Sequence, residues 1–214
     1  MPSNEQYMPD ILQDFQKGAI VIVTDEDDRE NEADLVLPAI YCSPQKMAFI
    51  VRHTCGIVCA PMLARNAQKL GLNPMVSKNE AVHQTAFTVS VDSKNGITTG
   101  ISATDRTHTV KNLANPQSTA DDFVRPGHIF PLIAHDGGVL VRPGHTEAAV
   151  DLCKITGLPP IAVICELVND DGTIKKGRQV IDFAQKHGLK ILSIRDLIHW
   201  RQNQEKYTTS PQSY

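Results

Sequence analysis

The chain has 214 residues, with 21 lysines and arginines against 24 aspartates and glutamates, a formal charge of −3. That length suits one domain, or two small ones, with a substantial core, and 41% hydrophobic against 21% charged residues is a globular rather than a disordered composition. A mildly acidic chain has no general attraction for a phosphate backbone, and no apolar run approaches the roughly 20 residues of a membrane helix, so neither nucleic acid nor membrane is an expected partner.

In chain order, Pro9-Asp10 opens a short amphipathic helix through Ile11, Leu12 and Phe15 that Gly18 stops. Ala19 to Val23 reads as a buried strand and Asp34 to Ile40 as its neighbour. Ser43-Pro44 is an N-cap followed by a first helical residue, with Met47, Ile50, Val51 and Thr54 on one face. Gly56 to Met62 returns as a strand, Leu63 to Gly71 as a helix, and Thr85 to Val91 as a strand of period two. Thr104 to Leu113 is predicted helical, and Asn115 to Gly144 irregular apart from a short strand near Ile129. A helix over Glu147 to Thr156, a strand over Ile161 to Val168, a helix over Gln179 to His187, a strand over Lys190 to Ile194 and a helix over Asp196 to Gln202 complete the pattern. The expected fold is a single α+β domain over residues 1–205, a mixed sheet with surrounding helices, followed by a polar tail at 206–214 that frays.

The five cysteines (Cys42, Cys55, Cys59, Cys153 and Cys165) are odd in number and show no CxxC pair. Free thiols in a reducing compartment are expected, hence a cytoplasmic location, and the first residues carry no secretory pattern. Cys55 and Cys59 beside His53 suggest part of a zinc site, but two further ligands at a fitting spacing are missing.

The segment Asp25 to Asp34 holds seven carboxylates and one arginine in ten residues, between two apolar strands. A solvated turn is one reading, yet the segment lacks Gly and Pro and repels itself unless a cation neutralises it. Mg²⁺ fits, because it takes carboxylate oxygens and keeps waters for a substrate. Such crowding also raises some carboxyl pKa values toward acid–base use.

Arg-Pro-Gly-His occurs at Arg125 to His128 and again at Arg142 to His145. The second copy leads into a helix start, where free N–H groups, the Arg142 guanidinium, the Thr146 hydroxyl and a Gly144 that admits close approach suit a phosphate monoester. A capped surface helix has the same local sequence. His145 beside it can ligate a metal, and His128 has the same ambiguity. Thr98 to Arg106, rich in hydroxyls, reads either as a polar ligand contact or as a loop and N-cap. Glu166, within an apolar run, is either on an exposed face or held near a site with a raised pKa.

Together Asp27-Asp-Arg-Glu-Asn-Glu-Ala-Asp34, Ile57-Val-Cys59, Thr85-Ala-Phe-Thr-Val89, Thr98-Thr-Gly-Ile-Ser-Ala103, Arg125-Pro-Gly-His-Ile-Phe-Pro-Leu132, Gly144-His-Thr-Glu-Ala148 and Cys165-Glu-Leu-Val-Asn-Asp-Asp-Gly172 resemble the 3,4-dihydroxy-2-butanone 4-phosphate synthase family of riboflavin biosynthesis, over about Ala19 to Ile198. The resemblance implies a carbon–carbon lyase that converts D-ribulose 5-phosphate to the four-carbon phosphate and formate. It also implies Mg²⁺ as cofactor with Mn²⁺ able to serve, and a homodimer with its sites near the interface. By the same resemblance Glu30 and His145 are the metal ligands. Arg29, Asp34 and the segment Arg142, Pro143, Gly144, His145, Thr146 bind substrate together with Glu30. His128 and Glu166 are essential for catalysis, and Asp25, Glu32 and Cys59 line the site. The implied reaction runs through enolisation, loss of the C1 hydroxyl, a skeletal shift and release of C4 as formate. Where the family usually has Gly, this chain has Ala33, so an ordinary negative φ is expected there. Some relatives carry a second, GTP cyclohydrolase II domain; this chain is expected to be monofunctional. A different metal-dependent sugar-phosphate lyase or isomerase, and a non-catalytic nucleotide- or RNA-binding domain, are the competing readings; the charge of −3 and the carboxylate cluster oppose the last.

Overall fold

The computed structural model describes residues 7–26 and 29–209, with side chains described to residue 204. Asp27 and Asp28 of the acidic segment, and residues 210–214 of the expected tail, lie outside the described residues. Among the described residues, no helix is long and apolar enough to cross a membrane.

The elements run α1 (Met8–Gln16), β1 (Val21–Thr24), β2 (Ala33–Pro38), α2 (Pro44–His53), β3 (Cys59–Leu63), α3 (Ala64–Lys69), β4 (Val91–Ser93), α4 (Ala103–Ala114), β5 (Phe123–Ala134), α5 (His145–Ile155), β6 (Ala162–Glu166), α6 (Arg178–His187), β7 (Lys190–Ser193) and α7 (Ile194–Thr209). The strands form one mixed sheet in the order β4-β5-β3-β6-β2-β1-β7. β1 with β7 and β3 with β5 are parallel, and the other pairs antiparallel. The expected mixed sheet flanked by helices is therefore the fold found.

Alternation along the strands supplies two cores, one on each face. Ile22, Leu35, Leu37, Ala60, Met62, Val163 and Cys165 pack with Met47 and Ile50 of α2, Val110 and Leu113 of α4, and Phe183 of α6. Val21, Val23, Val36, Cys59, Ala162 and Ile164 face the other way, onto Phe15 of α1, Ala149 and Leu152 of α5, and Leu197 of α7. The Ser43 side chain caps α2 by accepting from the Lys46 N–H, as the Ser-Pro pair predicts.

Three regions differ from expectation. Residues 123–134, expected to be irregular but for a short strand, form the longest strand, β5. Its Pro126, Gly127 and Pro131 read as turn residues, but residues 125–128 bulge outward between the pairs Asp92↔Val124 and Val91↔Ile129. The Gly127 backbone lies so close to Val91 and Asp92 that a Cβ there would overlap their main-chain atoms. Conversely, Thr85 to Val91 is not one strand. It runs along β5 through isolated bridges such as Phe87↔Leu132, because Pro131 accepts the Thr88 N–H but has no N–H to return. Farther on, α7 passes Gln202 and ends at Thr209, over a stretch free of Gly and Pro that can hold a helix.

Candidate active site

Three strand ends meet on the α5 side of the sheet. β6 runs antiparallel to β2 and β3, so its C-terminal end lies beside their starts: Asp34 pairs with Glu166, and Cys59 with Ile164. Val36 and Ile164 point toward α5, and Asp34 and Glu166, two residues away on each strand, point the same way. α5 opens over this edge with Gly144 as N-cap, and His145 and Thr146, the first helical residues, are buried. Together Arg29, Glu30, Glu32, Asp34, Cys59, Thr85, Phe87, Leu132, Arg142, His145, Thr146, Ile164 and Glu166 line a cleft of about 100 Å³.

The acidic loop is braced from inside by Asp25. Its carboxylate accepts the Glu30 N–H at 3.0 Å, the Glu32 N–H at 2.9 Å and Arg29 Nη1 at 3.0 Å. Arg29 also pairs with Glu30, whose Oε2 lies 3.5 Å from His145 Nδ1. One ligand atom from each of Asp25, Glu30 and His145 falls within a 4.8 Å cluster. Ala33 opens β2 with an ordinary backbone, as expected; the positive φ in this loop, 53°, falls on Asn31.

The electrostatics follow from burying these charges together. Burial opposes ionisation of Glu30, but the His145 hydrogen bond and the Arg29 charge outweigh it and bring its pKa down to about 2. Burial alone would lower His145; the Asp34, Glu30 and Asp25 carboxylates instead raise it to about 9. Burial pushes Asp34 up, and the charges of Glu166, Glu32 and Glu30 add to that against the pull of His145. Burial, then Glu166 and Asp34, push the Cys59 thiol well above its usual range, so it lines the cleft as a neutral group. Burial and the Glu30 and Glu166 charges likewise raise Glu32.

Among the described residues, Asp34 Oδ1 and His145 Nε2 are buried without a hydrogen-bond partner. Buried polar atoms are nearly always paired, so two orphans in one acidic cleft fit a group that binds there. The donor set of carboxylates and an imidazole suits Mg²⁺ or Mn²⁺. A cation would replace the proton on His145 as the positive charge facing the acids.

Arg142 spans the mouth. Its guanidinium donates to Glu147 Oε2 at 2.6 Å and to the His83 carbonyl at 2.9 Å. Glu147 is buried and also accepts the His135 N–H at 2.8 Å, so it fixes Arg142 in place. Gly144 is needed for space: its φ of −117° suits any residue, but a Cβ would crowd Arg142, Glu147 Oε2 at 2.8 Å and Arg29 Nη2 at 3.1 Å.

Of the residues marked from the sequence, Arg29, Glu30, Glu32, Asp34, Cys59, Arg142, His145, Thr146 and Glu166 line this cleft. Asp25 braces its loop, and Pro143 lies on an adjoining hollow with Asp25 and Arg29. His128 is not among the cleft residues of its own chain. It sits in the β5 bulge, with its backbone N–H and ring bonded to Asp92 at 2.9 and 2.6 Å. The Thr98–Arg106 segment closes on itself: Asp105 accepts from Thr98 and Gly100, and Ser102 caps α4. Sequence reasoning missed Glu147 as the partner of Arg142, although it placed that residue at the start of a helix. It also missed the apolar wall of Phe87, Leu132 and Ile164, whose alternation signals only burial.

Comparison with known proteins shows the family and the fold. A sequence model of the 3,4-dihydroxy-2-butanone 4-phosphate synthase family matches residues 9–200. The riboflavin biosynthesis protein RibBA of Mycobacteroides abscessus is 51% identical over 91% of this chain and 47% of its own length. The 3,4-dihydroxy-2-butanone 4-phosphate synthase of Neisseria meningitidis is 50% identical over 92% of this chain and 54% of its own length. The chain thus spans about half the length of these curated relatives. A crystal structure of a 3,4-dihydroxy-2-butanone 4-phosphate synthase in complex with two magnesium ions superposes with a TM-score of 0.90 at 41% identity, over 92% of this chain and 97% of that one. With the matched region covering nearly the whole chain, this protein belongs to the 3,4-dihydroxy-2-butanone 4-phosphate synthase family.

Proposed function

We propose that the chain converts D-ribulose 5-phosphate to L-3,4-dihydroxy-2-butanone 4-phosphate and formate, as a step of riboflavin biosynthesis. Mg²⁺, with Mn²⁺ able to serve, is held by Glu30 and His145. The observation that carries this reading is the pair of partnerless buried atoms, Asp34 Oδ1 and His145 Nε2, in a cleft walled by Glu30, Glu32 and Glu166.

Bound there, the cation supplies Lewis-acid stabilisation of negative charge on the ketose oxygens. The chain's own residues do the rest. The N-terminus of α5, with Thr146 and Arg142, takes the phosphate and fixes the substrate far from the reacting carbons. Asp34, with its raised pKa, can take a proton from carbon near neutral pH, and Glu32 and Glu166 stand beside it to return one to a leaving hydroxyl. Cys59, Phe87, Leu132 and Ile164 narrow the cleft and limit water around the enolised intermediate. His128 lies outside the cleft of its own chain, so the proposed homodimer, with sites near the interface, is the assembly that gives it access to one. The same reading places the protein in the cytoplasm without nucleic-acid or membrane partners.

The test is to incubate the purified chain with ribulose 5-phosphate, with and without Mg²⁺, and to measure formate. Mg²⁺-dependent formate is expected. Glu30→Gln and His145→Ala are each expected to abolish it while circular dichroism shows the fold retained. A sugar-phosphate product without formate would replace this reading with the other lyase or isomerase chemistry.

A further inference from the structure

Among the described residues, the fold gathers a second group of metal-binding atoms at the edge of the cleft, sharing Glu166 with it. Cys55 Sγ, Cys165 Sγ and a Glu166 carboxylate oxygen all lie within 4.8 Å of one another. We propose that Cys55, Cys165 and Glu166 form a site for a thiophilic divalent cation, with Zn²⁺ the best match, and that filling it draws Glu166 out of the cleft.

The sulfur spacing is the first argument. The two Sγ atoms are 3.7 Å apart, and tetrahedral zinc with Zn–S bonds of about 2.3 Å sets its sulfurs about 3.8 Å apart. Glu166 Oε2 lies 2.9 Å from Cys55 Sγ, a thiol–carboxylate hydrogen bond that opens to about 3.5 Å around a metal. Because Cys55 is exposed, rotation of its side chain accomplishes that opening and gives the ion an entry path. Two thiol protons leave to solvent as two thiolates form, and Glu166 binds through a carboxylate oxygen, releasing any proton it carries.

The surroundings of the sulfurs are the second argument. The Thr54 hydroxyl donates to Cys165 Sγ at 3.0 Å, and the Ile57 N–H points at Cys55 Sγ at 3.4 Å; the bond from the Cys165 thiol to the Ile57 carbonyl, at 3.3 Å, is given up when the metal binds. Donors aimed at ligand atoms are what hold and tune metal-bound thiolates. The cluster is not the one that spacing suggests. Cys59 turns to the α5 face of the sheet, and His53 stacks with Phe49 and Phe183. Backbone pairing of the Cys55 N–H with the Glu166 carbonyl, at 2.9 Å, brings Cys55 instead to the end of β6. Mg²⁺ prefers oxygen ligands and Zn²⁺ accepts thiolate, so the two clusters sort the two ions by chemistry.

The effect on turnover rests on the role proposed for Glu166, whereas binding does not, and the test separates the two. The metal-stripped protein, kept reduced and in excess Mg²⁺, is titrated with Co²⁺ as a spectroscopic substitute for Zn²⁺. A thiolate-to-cobalt charge-transfer band that saturates near one equivalent and is displaced by Zn²⁺ is expected. Cys55→Ser, an exposed substitution that spares the fold, is expected to lose the band and to weaken Zn²⁺ binding by about 100-fold. In the formate assay Zn²⁺ is expected to inhibit the wild type, while Cys55→Ser retains basal activity and resists. Absence of the band, or its persistence at full strength in Cys55→Ser, overturns the site. A band together with undiminished turnover in Zn²⁺ overturns the coupling to Glu166. A band in a protein that never makes formate leaves the site standing and refutes the proposed function instead.

Discussion

Glu147→Gln probes the buried carboxylate that holds Arg142 at the cleft. The native carboxylate has two acceptors in use, Oε2 on Arg142 and Oε1 on the His135 N–H, and it is 1% exposed. Glutamine fills the same volume but has one acceptor. If its oxygen stays on Arg142, its NH₂ meets the His135 N–H, and an orphaned buried donor costs about 1–3 kcal/mol. The surviving bond to Arg142 also loses its charge on the acceptor side, about another 1 kcal/mol. A loss of about 2–4 kcal/mol follows, and in a chain of this size it lowers Tm by about 5–15 °C. Thermal unfolding followed by circular dichroism measures it directly. In the formate assay the proposed function predicts that KM for ribulose 5-phosphate rises while kcat changes less, because on that proposal Arg142 holds a part of the substrate that does not react. A Tm within about 1 °C of wild type would show that the pair is solvated and would refute this account of how Arg142 is held.

Gly127→Ala is expected to cost about 2 kcal/mol or more, since its Cβ would overlap the Val91 and Asp92 main chain. Gly157→Ala, in open space but at φ 71°, is expected to cost only about 1 kcal/mol; equal urea midpoints would contradict the steric explanation. His53 and His187 stack at 5.1 Å against Phe49 and Phe183. Burial first, then positive neighbours including each other in the case of His53, holds both below the ordinary histidine pKa. The unfolded chain therefore takes up protons first as pH falls, so the stability present above about 6.5 is lost between that pH and the lower folded values. Replacing both with Phe is expected to flatten the urea midpoint between pH 8 and pH 5.5, and an unchanged slope would assign the acid sensitivity elsewhere.

Much of the fold was legible locally. The Ser43-Pro44 cap, the apolar face of α2 and the buried runs of β1, β2 and β6 follow from capping chemistry and periodicity, which act over a few residues. β5 was not legible, because Pro126, Gly127 and Pro131 carry turn chemistry and become strand residues only through neighbours at Val91 and Cys59. The acidic loop and the α5 N-terminus announced themselves by composition. That Asp34 and Glu166 share a site, and Glu30 and His145 a cation, was implied by the family resemblance; that Glu147 aims Arg142, and that Cys55 meets Cys165 rather than Cys59, was decided by tertiary structure alone. Sequence sets what each segment prefers by itself; which distant side chains share one buried space depends on strand order and register, and these are fixed only when both cores close on the two faces of the sheet.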